Sequence, residues 1–82
     1  MKANKGNIDE RIKFILVEKL GIAETAVTSD ANLSRDLGID SLDYAELIME
    51  FEQEFDIRIP HQDTEKLMSV KDVGSYIQSK ME

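Results

Sequence analysis

The 82-residue chain has no cysteine, and it has only one histidine and one proline. Without cysteine it can form neither disulfide bonds nor a cysteine-ligated metal site. It also has no thiol of its own, so any thioester chemistry requires an added prosthetic group. No apolar run approaches membrane-spanning length, and nothing before Ile8 resembles the apolar region of a signal peptide. We therefore expect a cytoplasmic protein that does not insert into membranes.

Basic residues are absent from the middle of the chain. Residues 36–56 contain eight acidic side chains and no basic one, whereas the remainder carries nine acidic and ten basic side chains. The net charge of −7 therefore belongs almost entirely to this central segment. We expect the segment to attract basic protein surfaces and to avoid nucleic acid and anionic membranes.

Length and hydrophobic periodicity predict one small all-α domain spanning residues 1–82. A chain this short can bury a bundle of short helices but hardly a deep enzyme cleft as well. The only alternating segment, 57–59, is too short to build a sheet. Residues 1–7 are polar and are expected to fray. We predict a four-helix bundle with three longer helices and one short one, at residues 8–20, 42–55, 61–67 and 70–79.

Several residues outside the central helix also carry structural predictions. Ser69 and Asp72 predict a capping box at the start of the last helix. Phe14 and Val17 lie beside the main apolar stripe of the first helix. We expect them to widen the core face, with a small exposed patch as the alternative. The long connection between the first two helices should be held down by four apolar side chains, Ile22, Val27, Leu33 and Leu37.

The central helix has two apolar faces. A spacing of about 100° per residue defines a core stripe that consists of Tyr44, Leu47, Ile48, Phe51 and Phe55. The opposite face has a second apolar strip among polar side chains: Leu42, Ala45 and Met49 beside Glu46, Glu52 and Gln53. Such a strip predicts a docking face, although scattered surface hydrophobes are common on soluble proteins.

A serine lies where this helix begins. Gly38 permits a tight turn, Asp40 and Ser41 are both favourable N-cap residues, and Asp43 follows in the manner of a capping box. An anion attached to Ser41 would be stabilised by the helix N-terminus by about 0.3–1 kcal/mol. From these residues alone, Ser41 is either a simple helix cap or an attachment point for an anionic group.

Hydrolytic and metal chemistry are poorly supported. His61 is the only histidine, and no G-x-S-x-G motif surrounds Ser41, which argues against a serine hydrolase. We expect His61 to be a surface residue in the first turn of the short helix. A segment that begins like a calcium-binding loop at Asp30 has Arg35 where that loop requires glycine. We therefore predict neither catalytic residues nor a metal site.

Residues 40–43, D-S-L-D, followed by Glu46 and Leu47, resemble the D-S-L-D-x-x-E-L signature of acyl carrier proteins. The resemblance extends in length, order and acidity over nearly the whole chain. It implies a four-helix carrier domain on which Ser41 bears phosphopantetheine, transferred from coenzyme A by a phosphopantetheinyl transferase. It further implies a monomeric, non-catalytic carrier of a dissociated fatty-acid synthase, which delivers acyl thioesters to enzymes with basic docking patches.

Together with the two helix faces, the resemblance implies two further groups of site residues. The expected partner-recognition residues are Asp40, Leu42, Asp43, Ala45, Glu46, Met49 and Glu52. The expected acyl pocket consists of Tyr44, at its mouth, and of Leu47, Ile48, Phe51 and Phe55. The chain departs from the pattern of a fatty-acid carrier at Tyr44, Ala45, Gln53, Arg58, His61 and Gln62. Two alternatives therefore stay open, a specialised polyketide or other secondary-pathway carrier and an unmodified interaction module.

Overall fold

The computed structural model describes residues 7–81. In chain order its elements are helix α1 (Ile8–Leu20), a first 3₁₀-helix (Glu24–Ala26), helix α2 (Ser41–Phe55), a second 3₁₀-helix (His61–Lys66) and helix α3 (Val70–Met81). Within the described residues there is no strand, and only an isolated bridge joins Asn32 to Ser69. The all-α prediction is confirmed, with the short third helix present as a 3₁₀-helix.

Helix α1 has the predicted ends. The side chain of Asn7 accepts a hydrogen bond from the Glu10 N–H at 2.9 Å, and Gly21 ends the helix in the left-handed conformation (φ 71°). Asn7 is therefore a helix cap, whereas residues 1–6 of the segment that we expected to fray lie outside the described range.

The prediction for the flank of α1 is half right. Val17 packs against the core and is half-buried, but Phe14 is 62% exposed, so its assignment to the core is wrong. Phe14 lies two residues beyond the fully buried Ile12, which rotates it by about 200° around the helix. That rotation points the ring away from the core.

The three α-helices surround one core, with α1 packed against both α2 and α3. The largest fully buried side chains come from all three helices: Ile12, Leu16, Leu47, Phe51, Val73 and Ile77. The capping box that begins α3 is confirmed. The Ser69 hydroxyl accepts from the Asp72 N–H at 3.1 Å, and the Asp72 carboxylate accepts from the Ser69 N–H at 3.2 Å.

The connection between α1 and α2 is held down as predicted. Val27 and Leu33 are buried, and Ile22 and Leu37 are half-buried against the core. Two further residues of this connection are buried that we did not predict, Ala31 and Ile39. No helix in the described part of the chain combines the length and apolar character that crossing a bilayer would need.

Candidate functional site

The chain enters α2 through a turn that is tied to the rest of the loop. Gly38 adopts the left-handed conformation (φ 69°), which a glycine accommodates without strain. The next residue, Ile39, is buried, and its N–H donates to the Leu33 carbonyl at 3.0 Å. Because Ile39 is anchored inward, the two residues that follow it, Asp40 and Ser41, are placed on the surface.

Asp40 is the N-cap of α2. Its backbone is extended (φ −86°, ψ −177°), and its carboxylate accepts a hydrogen bond from the Asp43 N–H at 2.8 Å. Its carbonyl accepts the first bond of the helix from the Tyr44 N–H, also at 2.8 Å. Asp40 therefore satisfies the capping requirement, and Ser41 is the first residue inside the helix. The simple-cap interpretation of Ser41 is wrong.

The Ser41 side chain is left available by this arrangement. It is exposed, and within residues 7–81 its hydroxyl has no hydrogen-bond partner. It lies in the first turn of α2, where the backbone N–H groups have no carbonyl partners inside the helix. A nucleophilic oxygen is thus presented to solvent at the electropositive end of a 15-residue helix.

A cleft of about 270 Å³ opens beside Ser41. Its walls are the first turn of α2, the preceding connection and the second 3₁₀-helix with the residues that follow it. The apolar part of its lining comes from five side chains, Leu33, Ile39, Tyr44, Leu67 and Met68. The cleft is therefore a largely apolar space next to the exposed hydroxyl.

Only one of the five residues that we expected in the acyl pocket lines this cleft. Tyr44 is part of its wall, whereas the other four are buried side chains of the core: Leu47, Ile48, Phe51 and Phe55. The remaining apolar lining was not assigned to the site from the sequence. Leu33 and Leu67 are 34 positions apart in the chain, and no helical periodicity connects them. Only the packing of the loop against the second 3₁₀-helix brings them together.

Tyr44 spans the cleft. Its hydroxyl contacts the carbonyl oxygen of Thr64 and lies 3.1 Å from that of Leu67, so its proton can be donated to either. Burial raises the pKa of the Tyr44 hydroxyl above its usual value. The ring of Tyr44 thus connects α2 to the opposite wall.

The predicted apolar strip of α2 lies on the surface. Leu42 is 78% exposed and Met49 is 57% exposed, and Ala45 and Glu46 are also exposed. Two of the predicted recognition residues also make structural hydrogen bonds: Asp40 caps α2, and the Glu52 carboxylate accepts the Ile59 N–H at 2.8 Å. Glu52 therefore has a structural contact that ties the segment after α2 to this helix.

Two sequence expectations about other chemistry can be compared with the structure. His61 is exposed in the first turn of the second 3₁₀-helix, as predicted, and does not bond to Ser41. Among residues 7–81, no group of three or more histidine, cysteine, aspartate or glutamate side chains is arranged to hold a metal ion.

The site and fold have counterparts in known proteins. The profile of the family described as "Phosphopantetheine attachment site" matches residues 10–77, which include Ser41 and the whole cleft. The chain is also 49% identical over 72 residues to a protein of Akkermansia muciniphila named "Acyl carrier protein", covering 88% of this chain and 90% of that protein. The chain therefore belongs to the acyl carrier protein family, as a non-catalytic carrier with a phosphopantetheine attachment site.

Proposed function

We propose that Ser41 is the attachment residue and that it carries acyl intermediates of fatty-acid biosynthesis as thioesters on phosphopantetheine. The observation behind this proposal is that the Ser41 hydroxyl is exposed and unpartnered among the described residues, because Asp40 already caps α2. Since the chain contains no cysteine, the prosthetic group supplies the thiol. Ser41 supplies the oxygen that anchors it.

The residues around Ser41 fit a phosphodiester at this position. In the transfer, the Ser41 oxygen bonds to the phosphorus that bears the pantetheine arm, and the P–O bond of the pyrophosphate bridge of coenzyme A breaks. The adenosine bisphosphate leaves with the bridging oxygen, and the serine hydroxyl proton passes to a base of the transferase or to solvent. The N-terminus of α2 favours the resulting anion by about 0.3–1 kcal/mol. The carboxylates of Asp40 and Asp43 offset part of this gain by repulsion. We assign them instead to contacts with the basic transferase and with the metal ion that accompanies phosphoryl transfer.

Mass spectrometry tests the attachment directly. The purified chain is incubated with coenzyme A, Mg²⁺ and a phosphopantetheinyl transferase, and the intact mass is measured before and after. We expect one added phosphopantetheine per chain, and fragmentation of the modified peptide should place it on Ser41. An unchanged mass would support the unmodified interaction module, and a label on another serine would refute Ser41 as the site.

The exposed strip of α2 supports a proposal about partners. Leu42, Ala45 and Met49 form an apolar surface next to Glu46 and close to Ser41 in the chain. We assign this surface to the transferase and to acyl-processing enzymes with basic docking patches. The acidic side chains attract the partner, and the apolar side chains hold it once it is docked. We further propose that this carrier is monomeric and meets coenzyme A and its partner enzymes in the cytoplasm.

A salt series separates the contribution of the acidic side chains from that of the apolar side chains. Glu46→Lys should mainly slow association with the transferase, and Met49→Ala should mainly speed dissociation. Because charges are screened beyond about 10 Å at 0.1 M salt, the effect of Glu46→Lys should shrink as salt is added. The measurement is the rate of phosphopantetheine incorporation at increasing ionic strength.

The matched control for this series is Glu18→Lys, which makes the same charge change at an exposed position of α1. We expect it to slow modification much less than Glu46→Lys does. Glu52 is unsuitable for the comparison, because reversing its charge also removes the hydrogen bond to Ile59. Equal rates for wild type and Glu46→Lys at low salt would exclude Glu46 from recognition.

A further inference from the structure

Along α2, one side chain separates Ser41 from the buried Leu47. Along α2, Tyr44 follows Ser41 by three residues and Leu47 follows Tyr44 by three, so the three side chains are neighbours in a row. Ser41 is exposed, Tyr44 is half-buried, and Leu47 is fully buried. A chain that moves from Ser41 towards the core along this row meets the ring of Tyr44 first.

The ring is held in place at its far end. The second 3₁₀-helix and Leu67 form the wall opposite α2, and the Tyr44 hydroxyl is bonded to carbonyl groups of that wall at Thr64 and Leu67. To leave its position, the ring must give up these bonds.

The surroundings of Tyr44 differ between its Ser41 end and its Leu47 end along α2. On the side of Ser41 lies the apolar cleft of about 270 Å³, which has room for an acyl chain. Leu47 and Phe51, which follow Tyr44 along α2, are 0% exposed and do not line the cleft. A chain that outgrows the cleft and extends along α2 therefore has to displace Tyr44 before it reaches Leu47 and Phe51.

We propose that Tyr44 determines the acyl specificity of this carrier by limiting the sequestered chain to the length that the cleft outside its ring can hold. Short apolar acyl groups are then shielded completely, and longer ones keep their distal carbons in solvent. The inference rests on the proposed attachment at Ser41. It names the substrate class of that site as acyl thioesters no longer than octanoyl.

The test uses a series of acyl groups on the intact protein. Wild type, Tyr44→Phe, Tyr44→Ala and Tyr76→Phe are loaded with acetyl, butanoyl, octanoyl or dodecanoyl phosphopantetheine from the matching coenzyme A thioesters. Loading is verified by intact mass, and the melting temperature of each species is measured. Each methylene group that leaves water shifts the equilibrium towards the sequestered state by about fourfold. The melting temperature therefore rises with chain length only as long as added carbons enter.

In wild type, we expect the melting temperature to stop rising at or before octanoyl. In Tyr44→Phe and Tyr44→Ala, we expect it to rise up to dodecanoyl. Tyr44→Phe keeps the ring but removes the hydroxyl that holds it to Thr64 and Leu67, so the ring can be displaced more easily. This variant therefore tests the role of Tyr44 even if Tyr44→Ala does not fold. Tyr76→Phe is the matched control. The Tyr76 hydroxyl donates to the Asp63 carboxylate at 2.6 Å, and it therefore holds the same 3₁₀-helix without lining the cleft. This variant should behave as wild type does.

Three results would overturn the role of Tyr44. The first is that the melting temperature of wild type keeps rising up to dodecanoyl. The second is that the melting temperature of Tyr44→Phe stops rising at the same acyl length as that of wild type. The third is that the melting temperature of Tyr76→Phe rises to the same acyl length as that of Tyr44→Phe. Wild type that gains no mass on loading would refute the attachment itself, and the role of Tyr44 with it. If the protein is loaded but its melting temperature does not depend on acyl length as expected, only the role of Tyr44 is refuted.

Discussion

Ser41→Ala should abolish phosphopantetheine incorporation while leaving the helical fold intact. The variant lacks the oxygen that we assign to the phosphodiester, so no residual labelling is expected at any transferase concentration. The fold should tolerate the change, because Asp40 rather than Ser41 caps α2 and because Ser41 is exposed. The measurements are the intact mass after incubation with coenzyme A and the transferase, and the thermal melting curve of the unmodified variant.

Two matched variants make this result specific. Ser34→Ala removes the hydroxyl of another serine that lines the same cleft, and it should be labelled at the wild-type rate. Asp40→Ala removes the cap and should cost about 0.5–2 kcal/mol of stability, a larger loss than that of Ser41→Ala. Labelling of Ser41→Ala at the wild-type rate would refute the attachment site. A greater loss of stability in Ser41→Ala than in Asp40→Ala would refute the assignment of the cap.

Phe51→Ala should have the largest effect on stability. Phe51 is 0% exposed and is among the largest fully buried side chains of the core. Truncating a buried phenylalanine typically costs about 3–5 kcal/mol, because apolar contacts are lost and a cavity remains. Native proteins are stable by only about 5–15 kcal/mol, so this variant should lose a large fraction of its stability. Urea denaturation followed by circular dichroism measures the difference.

Met49→Ala is the matched control for Phe51→Ala on the same helix. Met49 is 57% exposed, so its truncation should change the free energy of unfolding by no more than about 0.5 kcal/mol. The same variant is expected to weaken partner binding, so stability and recognition are affected by different residues of α2. Similar losses of stability in Phe51→Ala and Met49→Ala would contradict the assignment of the two faces.

Local signals in the sequence predicted much of this structure correctly. The ends of α1, the capping box at Ser69 and Asp72, and the turn at Gly38 each depend on residues within one helical turn of one another. The buried stripe of α2 follows from the helical period alone. The same period predicted that Leu42 and Met49 are exposed. These features are decided by backbone geometry and by the spacing of apolar residues.

Other features were decided only by tertiary structure. The sequence allowed either Asp40 or Ser41 to cap α2, and the burial of Ile39 selected Asp40 by fixing how the loop enters the helix. Glu52 gained a structural contact because the chain after α2 folds back onto it.

The cleft was only partly predicted because it, too, depends on tertiary structure. Its walls meet through contacts between residues far apart in the chain, such as the bonds from Tyr44 to Thr64 and Leu67. The sequence by itself therefore determined the helices and the position of the exposed serine at the start of α2. The space beside that serine depends on how the loop and the second 3₁₀-helix pack together, because no local periodicity encodes those long-range contacts.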